Sequence, residues 1–158
     1  MTTPSQELTF RGGSSEDAAA LQRLQSEHET EQGWTVQQWQ KELNRSNGSV
    51  WLVESVDTNQ PVGYLVMWRV ADRLEIVDLL VHSRWRRRSV GRALIEMAAA
   101  IGRAQQVCRL VLEVRRDNAG ARQFYEAVGF EEQGEKPGFY DDGAHALVMA
   151  RTVETACD

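Results

Sequence analysis

The sequence has few cysteines, few histidines and no long apolar segment, and each shortage excludes a class of function. The longest stretch without a charged residue, residues 58–68, is far shorter than the roughly 20 apolar residues that a membrane span needs. No charged segment followed by an apolar run opens the sequence, so we expect no signal peptide. Cys108 and Cys157 match neither a disulfide framework nor a metal-ligand spacing, and three scattered histidines predict no metal site. We therefore expect a cytoplasmic protein that binds neither metal nor membrane.

The charge balance is acidic and the length suits one domain. A net charge of -5 over 158 residues gives the surface as a whole no attraction for nucleic acid. There is no internal repeat and no low-complexity segment. We expect a flexible N-terminus over residues 1–7, one domain over residues 8–152 and a flexible tail over residues 153–158.

The first half of the chain predicts two capped helices and a three-stranded meander. In chain order, the pattern gives a strand at 8–11, a helix from 15 to about 29, a second helix from 36 to about 45, and strands at 49–56, 62–70 and 74–81. Thr35 and Gln38 have the spacing of a capping box, and Trp34 and Trp39 that of a hydrophobic staple. The short turns between the three strands favour antiparallel pairing.

The second half alternates helix and strand. It predicts a helix over 90–101, a strand over 109–115, a helix capped by Asp117 or Asn118 and ended by Gly129, and an antiparallel pair at 130–135 and 144–152. Because a helix connects strand 74–81 to strand 109–115, these two strands should be parallel. The predicted fold is α/β, with a mixed sheet of about six or seven strands and helices on both faces.

Residues 75–94 join a buried strand, a cationic turn and a helix that begins near Val90. The turn carries five arginines: Arg84, Arg86, Arg87, Arg88 and Arg92. First-turn amides of a helix have no intrahelical acceptor, and they combine with arginines to form an anion site. The stretch predicts a phosphate ligand, and by itself it would suit a nucleotide equally well.

Several motifs together resemble the GNAT superfamily of N-acetyltransferases. They are Arg86-Arg-Arg-Ser-Val-Gly91 before a helix, Leu112-Glu-Val-Arg115, Asn118-Ala-Gly-Ala121 and Phe124-Tyr-Glu-Ala-Val-Gly-Phe130. Within the superfamily the chain is most similar to the RimI-type enzymes, which acetylate the N-terminal alanine of a ribosomal protein. That similarity rests on Trp34-Thr35, on Leu-Glu-Val-Arg and on Phe139-Tyr140, and the resemblance covers about residues 8–151.

The resemblance implies acetyl-CoA as cosubstrate, held in a cleft where the fourth and fifth strands splay apart. It implies that the backbone of Leu79, Leu80 and Val81 holds the pantetheine arm and the acetyl carbonyl. The pyrophosphate would be cradled by Arg86, Arg87, Arg88, Ser89, Val90, Gly91 and Arg92, and the pantetheine contacted by Asn118. The family usually has Gly at the position of Ser89, so we expect binding with a slightly altered loop.

The resemblance also implies an acid–base pair, with Glu113 as the base that deprotonates the amine and Tyr125 as the acid near the sulfur of CoA. The strand pattern alone favours a solvated or arginine-paired edge residue at Glu113, and the apolar stripe of the helix alone favours a core aromatic at Tyr125. Glu75 and Asp78 are accessory candidates that could relay a proton or serve as structural acceptors.

The resemblance also implies substrate-binding roles for Trp34, Tyr140 and Glu113, although Tyr140 could equally be an exposed turn residue. His145 stands where relatives often carry an acid, so recognition of the amine could differ here.

The leading hypothesis is an Nα-acetyltransferase whose acceptor is a protein or peptide N-terminus, such as that of a ribosomal protein. A second hypothesis keeps the fold and cosubstrate but takes a small amine as acceptor. The third is a non-catalytic module that binds acyl-CoA, and the presence of both Glu113 and Tyr125 argues against it.

Overall fold

A computed structural model describes residues 7–28 and 33–153. The strands are β1 (Leu8–Gly12), β2 (Gly48–Ser55), β3 (Pro61–Val70), β4 (Arg73–Val81), β5 (Arg109–Arg115), β6 (Glu131–Lys136) and β7 (Ala146–Thr152). The helices are α1 (Ala18–His28), α2 (Val36–Leu43), α3 (Val90–Ala104) and α4 (Ala119–Ala127), with 3-10 turns at Ser15–Asp17 and Ser83–Trp85. Among the described residues, no helix is long and apolar enough to cross a membrane.

The predicted α/β class with a mixed sheet is confirmed. The seven strands lie in the order β1-β2-β3-β4-β5-β7-β6. β1 pairs antiparallel with β2, β2 with β3, and β7 with both β5 and β6. As the crossover helix predicts, β4 and β5 are parallel, and their paired residues run from Arg73 opposite Arg109 to Ile76 opposite Leu112.

The predicted cap of the second helix is also confirmed, whereas several predicted element ends are wrong by a residue or two. The Thr35 hydroxyl accepts from the Gln38 amide at 3.1 Å, and the Gln38 side chain accepts from the Thr35 amide at 2.8 Å. α2 ends at Leu43 rather than near residue 45. β7 begins at Ala146 rather than 144, because the Tyr140 amide donates to the Ala144 carbonyl and closes a turn there.

The chain divides into two compact units, and each has its own set of buried side chains. The first unit comprises Met1–Trp68 and Asp78–Leu94. Its buried side chains come from α1, α2, β2, β3 and the first turn of α3: Leu21, Trp39, Leu52, Tyr64, Leu65 and Leu94. β3 approaches the end of β4 closely at Gly63, where an added Cβ would lie 2.9 Å from the Leu80 carbonyl oxygen. A larger residue at position 63 would therefore displace the strand that leads into the cationic turn.

The second unit comprises Arg69–Val77 and Ile95–Asp158. Its core is formed by α3, β5 and β7 with Phe130, and includes Ile95, Leu110 and Met149. Val153, the first residue of the predicted flexible tail, is buried, and its amide donates to the Cys108 carbonyl at 2.9 Å. Residues 154–158, residues 1–6 of the predicted flexible N-terminus and residue 29 of the first predicted helix lie outside the described residues.

Candidate active site

The predicted site residues fall into one group in each unit. The first unit carries Trp34, Asp78, residues 79–81 and the cationic turn, defined here as residues 84–92. The second carries Glu75, Glu113, Asn118, Tyr125 and Tyr140.

The cationic turn presents unpaired amides at the start of α3. Within the described part of the chain, the amides of residues 87–91 donate to no protein acceptor, and the Ala93 amide donates to the Ser89 carbonyl at 3.0 Å. Arg87 and Ser89 both have left-handed backbone, with φ of 62° and 63°. A left-handed residue next to a right-handed one, as Ser89 is next to the helical Val90, turns successive N–H groups towards one side and creates a concavity for anions. The geometry fits a pyrophosphate at a helix N-terminus.

Ser89 adopts a left-handed backbone conformation that glycine adopts more readily than a residue with a side chain. Left-handed backbone costs a residue with a side chain roughly 1–2 kcal/mol relative to the right-handed region, and glycine does not bear that cost. Both Arg87 and Ser89 bear this cost in the turn, and the Ser89 amide donates to no acceptor among the described residues.

Arginine side chains anchor the turn to its surroundings. Arg86 Nε donates to the Val81 carbonyl at 3.1 Å, and the Arg88 guanidinium lies 5.2 Å from the centre of the Trp85 ring. Arg86, Arg87 and Arg88 are all exposed, which leaves their charge available to a polyanion. One lone pair of the Val81 carbonyl, a predicted contact for the pantetheine arm, is already engaged by Arg86.

Asp78 lies in a hydrogen-bonded network that sequence reasoning missed. Tyr64 donates its hydroxyl proton to Asp78 Oδ2 at 2.6 Å, and Gln25 Nε2 donates to the same oxygen at 3.3 Å. Burial raises the pKa of Asp78, and the hydrogen bonds from Tyr64, Gln25 and the Leu79 backbone oppose that rise. Tyr64 and Gln25 are both buried, at 0% and 2% exposure, so the carboxyl oxygen meets donors held rigidly by the core.

Gln25 connects this network to Trp34. Its Oε1 accepts from the Trp34 amide at 2.6 Å and from Trp39 Nε1 at 3.2 Å. The rings of Trp34 and Trp39 meet edge to face, with centroids 4.7 Å apart, which confirms the predicted hydrophobic staple. The sequence feature that could have predicted this role is the position of Gln25 one turn after Leu21, on the apolar side of α1, where a polar side chain needs buried partners.

Glu113 is the exposed residue of β5 between two buried neighbours, Leu112 and Val114. Its carboxylate forms an ion pair with the Lys136 ammonium of β6. The strand pattern predicts a solvated or arginine-paired carboxylate, whereas the partner in the structure is a lysine 23 residues away in sequence. Glu75, the other carboxylate considered for the base, pairs with Arg73 at 3.0 Å on its own strand.

Tyr140 lies in the β6–β7 hairpin beside charged groups of β5. The Arg115 guanidinium is 4.8 Å from the centre of its ring, and Arg115 also binds Asp142 Oδ2 at 2.6 Å. Burial, followed by the charge of Glu113, raises the pKa of Tyr140. Tyr140 is therefore half-buried and within the electrostatic reach of Glu113, rather than a fully exposed turn residue.

Tyr125 and Asn118 lie on α4. The Tyr125 ring is half-buried, with ring centroids 5.1 Å from Phe124 and 5.6 Å from Phe130. Asn118 is the N-cap, and its Oδ1 accepts from the Ala121 amide at 3.1 Å. The cap role that the sequence predicted for Asn118 therefore uses its oxygen, whereas a contact to pantetheine would use its exposed amide nitrogen.

His145 lies beside an acidic residue of β6. His145 Nδ1 lies 3.2 Å from Glu135 Oε1, without the geometry of a hydrogen bond. Across residues 7–28 and 33–153, no cluster of three His, Cys, Asp or Glu side chains could hold a metal ion.

Comparison with known proteins decides the family. The acetyltransferase (GNAT) family profile matches residues 16–130, which is more than half of the chain. The chain belongs to the GNAT acetyltransferase family. Members of this family use acetyl-CoA, so the protein is an acetyl-CoA-dependent N-acetyltransferase, and the free amides of its cationic turn suit that cosubstrate.

Individual relatives refine the comparison. A candidate [ribosomal protein bS18]-alanine N-acetyltransferase of Bacillus subtilis is 30% identical over 121 residues, covering 76% of this chain and 80% of the relative. The [ribosomal protein bS18]-alanine N-acetyltransferase of Escherichia coli K12 is 33% identical over 84 residues, covering 51% of this chain and 57% of the relative.

Solved structures show the same fold. The crystal structure of the ribosomal-protein-S18-alanine N-acetyltransferase from Escherichia coli has a TM-score of 0.82 at 22% identity, covering 96% of this chain and 97% of that one. Ard1 from Thermoplasma volcanium has a TM-score of 0.78 at 27% identity, covering 92% and 97%. These comparisons confirm the similarity to RimI-type enzymes that the motifs indicated.

Proposed function

We propose that this GNAT enzyme acetylates the N-terminal α-amino group of a protein, with an N-terminal alanine on a ribosomal protein as the acceptor class. The observation that carries the proposal is the 30% identity to the Bacillus subtilis candidate alanine N-acetyltransferase over most of both chains. An acceptor of this class implies a cytoplasmic enzyme.

The chemistry requires a base, because a free α-amino group has a pKa near ~8 and is largely protonated at neutral pH. We assign that base to Glu113. Its support is an exposed carboxylate that already binds an ammonium group, that of Lys136, and so has the charge and access that an acceptor amine needs. Glu75 is engaged by Arg73 and Asp78 by Tyr64 and Gln25, which favours structural roles for both.

We assign the acid to Tyr125. Its hydroxyl would donate a proton to the sulfur of CoA as the C–S bond breaks and the new C–N bond forms. The proton that the nitrogen then loses would restore the tyrosine hydroxyl by way of solvent. The half-buried ring is fixed by Phe124 and Phe130, which limits the orientations of the hydroxyl.

The remaining residues are assigned to binding of the cosubstrate and of the acceptor. The amides and arginines of the cationic turn hold the pyrophosphate, the backbone of residues 79–81 and the side chain of Asn118 contact the pantetheine arm, and Trp34 and Tyr140 bind the acceptor. Asp78 supports Trp34 through Gln25 rather than taking the proton itself.

A peptide panel tests the function. Purified protein and acetyl-CoA are mixed with peptides that begin with Ala, Ser, Met or Glu, with an Nα-blocked peptide that contains lysine, and with an aminoglycoside. Thiol release and product mass are then measured. Preferred acetylation of the Ala peptide at its α-amino group supports the proposal. Activity confined to the aminoglycoside would refute it in favour of a small-amine enzyme, and CoA binding without turnover would refute it in favour of a non-catalytic module.

A further inference from the structure

The ion pair between Lys136 and Glu113 spans three strands. Glu113 of β5 lies opposite Val148 of β7, and Val148 lies opposite Gly134 of β6 on its other side. Lys136 is two residues beyond Gly134, so its side chain points to the same face of the sheet as Glu113. Two strand spacings, roughly 9–10 Å, separate β6 from β5, and the lysine must extend across β7 to reach the carboxylate.

Lysine is rare in this chain, which makes the choice of cation informative. The chain has two lysines, Lys41 and Lys136, among 18 basic residues. The arginines near Glu113 have other partners, since Arg115 pairs with Asp117 and Asp142, and Arg116 with Glu135. A lysine ammonium is a compact charge with three donors, the chemistry of a protonated α-amino group, whereas a guanidinium is planar and forked.

We propose that the Lys136 ammonium occupies the place on Glu113 that the acceptor's α-ammonium takes, and that the acceptor binds by displacing it. The inference rests on the proposed function, which places the acceptor amine at Glu113. One positive charge replaces another, so the Glu113 carboxylate stays paired when a charged N-terminus enters. Acetylation then removes the charge of the acceptor, and once Glu113 has released the abstracted proton to solvent, Lys136 can return to the carboxylate. Lys136 thereby selects for a charged acceptor and favours release of the neutral product.

The exposure of the pair sets the size of the effect. The side chains of Lys136 and Glu113 are 50% and 33% exposed, which is typical of a weak surface ion pair. Removing the internal competitor should lower the KM for an Ala-initiated peptide by at most about fivefold, which corresponds to about 1 kcal/mol. Lys136→Met keeps the apolar stem and removes the charge, so it should show this lower KM with kcat within about twofold. Lys136→Arg keeps the charge but not the compact ammonium, so its KM should lie between those of wild type and Lys136→Met, and Lys41→Met is the matched control that should change neither constant.

A binding experiment tests the displacement without turnover. With isotope-labelled lysine, the side-chain nitrogen spectrum holds two signals, one from Lys136 and one from Lys41. We expect Glu113→Gln to move the Lys136 signal alone. In the wild-type protein saturated with CoA, alaninamide should move the Lys136 signal towards its Glu113→Gln position, and N-acetylalaninamide, which has no charge, should not.

Three results would overturn the inference. They are a Lys136 signal that is unchanged by Glu113→Gln, a signal that neither compound moves, and a signal that both compounds move equally. The peptide panel decides the proposed function separately, because it measures acetyl transfer, whereas the lysine spectrum measures only what lies on the Glu113 carboxylate.

Discussion

Removal of the Tyr64 hydroxyl should make the stability of the fold more sensitive to pH. Tyr64 is fully buried, and its hydroxyl donates to Asp78 Oδ2 at 2.6 Å. A hydrogen bond to a charged group contributes about 1.5–3 kcal/mol to stability, and one between neutral groups about 0.5–1.5 kcal/mol. Tyr64→Phe should therefore cost about 1.5–3 kcal/mol when Asp78 is ionised, and less when it is protonated.

The direction of the pH effect follows from the raised pKa of Asp78. An acid whose pKa is higher in the folded state contributes most to stability below its unfolded pKa, near ~3.9, and loses that contribution as pH rises through the folded pKa. Without the Tyr64 hydroxyl the ionised carboxylate is stabilised less, so the pKa of Asp78 should rise further. The destabilisation caused by Tyr64→Phe should therefore grow between about pH 4 and a pH above the folded pKa of Asp78.

Urea unfolding of wild type and Tyr64→Phe at both pH values measures the loss in the free energy of unfolding at each pH. Asp78→Asn is the matched control, because in that background Tyr64→Phe should cost the same at both pH values. If Tyr64→Phe lowers the free energy of unfolding equally at both pH values in the protein that retains Asp78, the reasoning is refuted, because the hydrogen bond would then not depend on the charge of Asp78.

Two further predictions concern the cationic turn and the proposed acid. Ser89→Gly should stabilise the fold by up to about 1 kcal/mol, because glycine adopts φ of 63° without strain, and it should keep the KM for acetyl-CoA within about twofold. Ser89→Val should weaken both stability and binding, measured by thermal unfolding and steady-state kinetics. A stabilising Ser89→Val would contradict the strain argument. Tyr125→Phe should fold normally by circular dichroism yet lose about 100-fold or more in kcat, and unchanged turnover would rule out the acid role.

Much of the fold could be predicted from the sequence because its signals are local. The Thr35 capping box, the contact between Trp34 and Trp39 and the parallel β4–β5 pair each follow from spacing within one segment or from the length of one connection. The element ends were harder, since β7 begins where a backbone bond between Tyr140 and Ala144 closes a turn. Such a bond depends on the loop conformation rather than on periodicity.

The partners of the site residues could not be predicted in the same way. Gln25 meets Tyr64 and Asp78 only when α1, β3 and β4 are assembled, and no spacing in the sequence encodes that meeting. Lys136 reaches Glu113 across β7, from 23 residues away in sequence. The sequence indicated which side chains could act as acids, bases or ligands. The packing of distant strands determined which partner each of these side chains has.

The rate of acetyl transfer from acetyl-CoA to an Ala-initiated peptide by Glu113→Gln, with Glu75→Gln as the matched control, tests the central claim most directly. Glutamine keeps the size of the side chain and removes the base. Loss of a positioned base should lower kcat by about 100-fold or more in Glu113→Gln. Glu75→Gln should stay within a few fold of wild type, because its carboxylate pairs with Arg73. Equal losses in the two variants, or full activity in Glu113→Gln, would contradict the assignment of Glu113 as the base.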